Sequence, residues 1–172
     1  MADPTVDDTV LLGRDYGFHP LDLQDCLSGK VTKVEDHGEH IFLLLHFPEE
    51  DAQGLVTQNR LSMFLGKDYI VTLHSGNLAP LVQLFASCRD DPEKRASFMK
   101  SSAYVAYRII DALVAGVFTI LDDVQGKLDE IESVVFDETK SQAVPINHAR
   151  HQLASLGRIL FPIRLYIPDL AK

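Results

Sequence analysis

Cysteine is scarce in this chain. Only Cys26 and Cys88 occur, they form no CxxC pair, and two thiols are too few for a disulfide framework. That fits a reducing, cytoplasmic setting. Basic charge is scarce as well: 16 Lys and Arg stand against 25 Asp and Glu, a formal net charge of −9. Phosphate binding needs a cationic footprint, so nucleic acid is excluded as a partner class. There is no P-loop, glycine-rich dinucleotide fingerprint, HExxH or GxSxG. Asp25 neighbours Cys26, yet no histidine is placed by sequence to take a thiol proton. The chain therefore reads as a non-enzyme. Met1–Asp8 is acidic and has no apolar centre, so no secretory leader is expected.

Carboxylates and apolar helix-forming residues are plentiful. Met1–Arg60 holds twelve carboxylates against four basic residues, a surface that attracts metal ions or a basic partner. Between Ser101 and Phe136, apolar residues recur at Ala106, Ile109, Ile110, Leu113, Val117, Ile120, Leu121, Val124, Leu128, Ile131 and Val135. Spacings of three and four place them on one stripe of a helix roughly 50 Å long, capped by Ser101 or Ser102. Such a strut is too long for one more helix of a compact domain. Ala103–Leu121 is almost apolar enough to span a membrane, but Arg108 and Asp111 would each cost about 2.5–3.5 kcal/mol at a bilayer centre. Spaced i,i+3, they can pair on a soluble helix.

The rest of the chain predicts a mixed sheet flanked by helices, in an α/β (α+β) class. Asp7–Tyr16 is a short helix, with Asp7 or Asp8 as cap and Gly17 as stop, and Leu21–Leu27 is another. Lys30–Glu35 and His40–Phe47 form a hairpin across Asp36-His37-Gly38, and Pro48–Gly54 is an acidic loop. Gln58–Leu65 and Tyr69–Leu73 complete the strands. Leu78–Cys88 is helical with Asn77 as cap, and Asp91-Pro92-Glu93 opens a further segment. Val144-Pro145 turns the chain back into a return helix, Ile146–Ile163, with Leu153, Leu156, Ile159 and Leu160 facing the strut. Pro162 and Pro168 limit the regularity of its end. The expected domains are an α/β unit over 1–100 and a long protruding antiparallel helical hairpin over 101–172. The histidines offer little: His148 and His151 are only two ligands, and His46 and His74 read as satisfied strand residues.

Several segments carry a resemblance. They are Tyr16-Gly17-Phe18-His19-Pro20-Leu21 with Leu23-Gln24-Asp25-Cys26-Leu27; Lys33-Val34-Glu35 and Ile41-Phe42-Leu43-Leu44-Leu45-His46-Phe47; and Phe64-Leu65-Gly66-Lys67-Asp68-Tyr69-Ile70-Val71-Thr72-Leu73-His74. Ala106-Tyr107-Arg108-Ile109-Ile110-Asp111-Ala112-Leu113-Val114, Ile120-Leu121-Asp122 and Arg158-Ile159-Leu160-Phe161-Pro162-Ile163-Arg164 follow in order. Together they resemble the cytoplasmic domain of CorA-family divalent-cation transporters, over nearly the whole chain.

The resemblance implies a soluble, metal-sensing regulatory domain of a magnesium/cobalt transporter at the cytoplasmic side of the inner membrane. It implies a homo-oligomer, pentameric in the full-length protein, anchored by C-terminal spans beyond this sequence. Strands that usually precede the first family helix are expected to be missing. Magnesium between neighbouring domains would hold the pore closed, through positions matching Gln24, Asp25 and Asp111. Mg²⁺ keeps waters and needs only one or two carboxylates, so Asp25 and Asp111 are the expected ligands. Gln24 replaces a usual glutamate and Ala115-Gly116 replaces acidic positions, which weakens any second metal position. Co²⁺ or Zn²⁺ are alternative ions, since the zinc-transporting (ZntB-like) branch shares the domain. A different class, a freestanding acidic module that docks a basic partner, also fits the charge.

Overall fold

The computed structural model describes residues 1–51, 54–75, 78–135 and 143–170. Four strands, β1 (Lys33–Asp36), β2 (His40–Glu50), β3 (Val56–Gly66) and β4 (Ile70–His74), pair antiparallel in the order β1-β2-β3-β4. Leu43 stands opposite Met63 and Leu45 opposite Leu61, so the long β2–β3 ribbon is the spine of the sheet. The apolar run Ile41–Phe47 occupies its middle, where both faces are covered. The free edge of β4 is met by the N-terminus: Ala2 bridges His74 in parallel, and the Met1 ammonium donates to Thr72 O at 2.7 Å.

Alternation along the strands divides the core in two. Leu43, Leu45, Phe47, Leu61 and Met63 face α3 (Ala79–Asp90), α4 (Pro92–Phe98), α5 (Ser102–Val135) and α6 (Ala143–Leu170). Phe42, Leu44, Phe64 and Leu73 face α1 (Val6–Tyr16) and α2 (Pro20–Ser28) through Leu12, Phe18, Leu23 and Cys26. The result is an α/β/α sandwich, with Phe18 stacked on Phe64 at 3.8 Å between ring centroids.

Local chemistry explains the boundaries. The cap of α1 is Thr5 rather than Asp7 or Asp8: Thr5 Oγ1 accepts from Asp8 N while Asp8 Oδ2 accepts from Thr5 N, a reciprocal pair that satisfies two otherwise free donors. Gly17 ends the helix at φ 68°, a conformation glycine reaches without a Cβ clash. Pro20 opens α2, and Asp91 caps α4 by accepting from Glu93 N and Lys94 N. Ser101 Oγ accepts from Tyr104 N at the start of α5. α3 begins after Leu78, which makes no side-chain cap; Asn77 lies outside the described residues.

Strand β2 runs on through Glu50 because Pro48, Glu49 and Glu50 pair with Gln58, Thr57 and Val56. The expected acidic loop thus contracts to a turn in which Asp51 N donates to Leu55 O. Val144 and Pro145 lie within the first turn of α6, so they do not make the reversal; residues 136–142 lie outside the described ones. α6 also continues past Pro162 to Leu170. Ile159 and Ile163, buried on either side, hold a helix that the half-buried Pro162 would otherwise break. Leu156 and Ile159 face inward as expected, whereas Leu153 is exposed.

α5 is the long helix of 34 residues. Within Ser102–Ile131 an 18-residue stretch reaches a mean hydropathy of 1.7, enough by length and composition to cross a membrane, yet Val105, Ile109, Leu113 and Val117 are buried against the sheet. Further along, Lys127 Nζ reaches Glu50 at 2.8 Å. Gln152 of α6, fully buried, donates to Glu50 Oε1 at 3.2 Å and to Gly54 O at 2.6 Å. The end of β2 is therefore clamped to both long helices, which run antiparallel.

Candidate metal-binding faces

Asp25 is half-buried on α2, one turn after the exposed Leu21. Its Oδ2 is 2.9 Å from Lys33 Nζ on β1. The same ammonium reaches Asp22 Oδ1 at 2.9 Å and Glu35 Oε1 at 2.8 Å. Strand alternation puts Lys33 and Glu35 on one face, and α2 lays Asp22 and Asp25 above them. Asp22 is fully buried, and its second oxygen lies 2.7 Å from His37 Nε2. Burial opposes the charge on Lys33, but the three carboxylates overcome it and raise its pKa well above the ordinary lysine value. The sequence reading did not find this network. Its traces were the i,i+3 pair Asp22/Asp25 and the i,i+2 pair Lys33/Glu35, which only the packing of α2 on β1 unites.

Asp111 is exposed on α5, on the opposite face of the sheet. The ion pair with Arg108 that the spacing allows is not formed: Arg108 donates instead to Tyr104 Oη at 3.3 Å and lies over the Phe98 ring. Asp111 stands within a stripe made by Tyr107, Val114 and Phe118, exposed by 59%, 36% and 61%. Spacings of i, i+4, i+7 and i+11 give one helix face. Tyr107, Val114 and Phe118 thus leave apolar area on this face open to solvent. The sheet separates Asp25 from Asp111, so one chain cannot bring both to one ion. Gln24 is exposed beside Asp25.

The remaining sequence candidates are structural. His46 is buried, with Nδ1 3.1 Å from Thr32 Oγ1 and Nε2 3.3 Å from Gly29 O. His74 Nδ1 lies 3.3 Å from Ser75 O. Burial pushes the Cys26 thiol up to about 11, so it is not a nucleophile at neutral pH.

Comparison with known proteins decides the family. The profile described as CorA-like Mg²⁺ transporter protein matches residues 1–172. The chain belongs to the CorA-like family. The cobalt/magnesium transport protein CorA of Thermotoga maritima is 24% identical over 164 residues, 92% of this chain and 46% of that protein. A putative metal ion transporter of Bacillus subtilis, YfjQ, is 23% identical over 94% of this chain and 49% of its own length. The chain thus spans about half the length of the curated CorA relatives it matches. The soluble domain of CorA from Methanocaldococcus jannaschii has the same fold, with a TM-score of 0.81 at 19% identity over 95% of this chain and 65% of that one. Full-length CmaX superposes with a TM-score of 0.77 at 17% identity, over 99% of this chain and 52% of that one. The mixed α/β fold is that of the CorA soluble domain.

Proposed function

We propose that this chain is the cytoplasmic, ion-responsive domain of a CorA-type Mg²⁺ or Co²⁺ transporter. Copies associate head to tail, with the α2 face of one against the α5 face of the next, and Mg²⁺ is shared between Asp25 and Asp111 of adjacent copies. Residues 1–100 form the α/β body, and 101–172 the helical hairpin that leads toward a stalk and membrane spans. The single observation carrying this reading is the placement of Asp111 in the exposed stripe Tyr107, Val114, Phe118, on the face away from Asp25. A surface and its complement on opposite sides of one chain generate a ring when the rotation closes, which fits the pentamer that the family resemblance implies.

Mg²⁺ suits the ligands because it takes carboxylate oxygen, retains waters and needs few protein groups. Closing a pore from 1:99 to 99:1 requires about 5.5 kcal/mol. Two carboxylates 4 Å apart repel by about 1 kcal/mol in water and about 4 kcal/mol at an effective dielectric near 20. Loss of one shared ion is thus a weak signal, and several equivalent interfaces acting together make a switch.

The test is Mg²⁺ flux through the full-length protein in lipid vesicles with the domain side accessible. Flux in the wild type is expected to shut down as Mg²⁺ rises on that side, and to persist in Asp25→Asn and Asp111→Asn. Absence of Mg²⁺ and Co²⁺ flux, or unchanged shut-down in both variants, would overturn the reading.

A further inference from the structure

A second cluster lies on the β1–β2 hairpin, away from α5. Asp22, Glu35 and His37 each present one ligand atom, all within 4.8 Å of one another. Their oxygens are divided between two tasks. Oδ1 of Asp22 and Oε1 of Glu35 hold Lys33, while Oδ2 of Asp22 lies 2.7 Å, and Oε2 of Glu35 3.7 Å, from His37 Nε2. Lys33 therefore fixes the two carboxylates without using the oxygens nearest the imidazole. Three carboxylates, counting Asp25, share this one ammonium, so carboxylate exceeds lysine charge around the His37 ring. One of them, Asp22, is fully buried.

The hairpin brings further imidazoles here. The His40 ring is centred 5.1 Å from that of His37, and His40 Nε2 is buried with no hydrogen-bond partner. The His19 ring stacks on the other side of His37 at 6.0 Å, and these three histidines line one cleft. Two carboxylates and an imidazole converging from α2, β1 and the β1–β2 turn make an arrangement that a divalent ion satisfies.

We propose that Asp22, Glu35 and His37 form a second divalent-metal site within a single copy of the chain, selective for Co²⁺, Ni²⁺ or Zn²⁺ over Mg²⁺. Imidazole nitrogen sets the selectivity, since borderline ions take N ligands and Mg²⁺ takes oxygen and water. Metal–ligand bonds of about 2.0–2.2 Å require only a small widening of the His37–Asp22 contact. The metal replaces the proton between these two groups. That proton moves to Nδ1 if the ring carries only one, or leaves to solvent if the ring carries two, and protons compete with the metal, so affinity falls in acid. The site shares Lys33 with Asp25, but all three of its ligands come from a single copy of the chain.

The test is titration of the tag-free chain with Co²⁺, followed by its visible absorption, at a concentration where the chain is verified as monomeric. One Co²⁺ per chain is expected, with ligand-field bands of a nitrogen-containing site and no displacement by a large excess of Mg²⁺. His37→Gln, a change on an exposed turn, is expected to weaken binding at least about tenfold, and Asp22→Asn likewise. Asp111→Asn is expected to leave it unchanged. No Co²⁺ binding to the wild type, equal binding by His37→Gln, or ready displacement by Mg²⁺ would overturn the proposal. Binding lost in Asp111→Asn but retained in His37→Gln would also overturn it, while leaving the α2–α5 contact standing.

Discussion

The ammonium of Lys33 stands 2.9 Å from Oδ1 of Asp22, a carboxylate with no exposure to solvent. Replacing Lys33 by Met leaves that carboxylate facing Asp25 and Glu35 without its main counter-charge. Breaking a buried pair from one side costs about 3–5 kcal/mol. Lys33→Met is expected to lower the urea midpoint by a corresponding amount, with the denaturant slope unchanged. Lys33→Met combined with Asp22→Leu is expected to recover most of the loss; a single variant as stable as the wild type would show that the pair carries no weight.

Gln152 tests the clamp between the hairpin and the sheet. Its amide donates to Glu50 and to Gly54 O from a fully buried position. Gln152→Ala removes both bonds and leaves the Gly54 carbonyl without this donor, while Glu50 keeps Lys127, at a cost of about 1–3 kcal/mol. Hydrogen exchange is expected to accelerate in α6 and at the end of β2 while β4 is unaffected. Uniform acceleration across the sheet would contradict a local clamp.

Acid should weaken the fold through two strand histidines. Burial lowers the pKa of His46, opposed by the Gly29 carbonyl and reinforced by Arg60; burial also lowers that of His74, opposed by the Ser75 carbonyl and reinforced by the Met1 ammonium. A depressed folded pKa means that the unfolded chain takes up the proton first as pH falls. The contribution is thus complete above the unfolded value of about 6.5 and is lost through and below it, down to the folded pKa. Each group gives a slope of up to about 1.4 kcal/mol per pH unit in that window. The melting temperature is expected to fall between pH 7.5 and 5.5, and His46→Gln to flatten part of that fall. A pH-independent melting temperature would contradict it.

How much of this was legible in the residues depended on the range of the interaction. Gly17, the strand run Ile41–Phe47 and the α5 stripe speak through local periodicity and backbone freedom, and each stands where the pattern put it. Thr5 was passed over as a cap because adjacent Asp7 and Asp8 compete for the same role, and only the reciprocal bond to Asp8 decides it. β2 reached Glu50 although Pro48 and two glutamates read as a loop, since pairing with β3 overrides local propensity. Pro162 did not end α6 for the same reason: burial of Ile159 and Ile163 outweighs one lost hydrogen bond.

At the candidate sites, exposure of Asp111 was readable from the helical stripe, but its release from Arg108 was not, because Tyr104 and Phe98 take up the guanidinium instead. The carboxylate network on Lys33 was invisible for want of any signal linking α2 to β1. That Asp25 and Asp111 lie on opposite faces follows only from the three-layer packing.

The account stands or falls on association between copies. Sedimentation velocity of the chain, with and without Mg²⁺ at millimolar concentration, compares the wild type with Asp25→Asn and Asp111→Asn. Mg²⁺ is expected to drive the wild type into a discrete oligomer, with both variants remaining monomeric and no tight Mg²⁺ binding detectable by calorimetry on the monomer. A wild type that stays monomeric in Mg²⁺, or binds it with micromolar affinity as a monomer, would contradict the shared-ion interface.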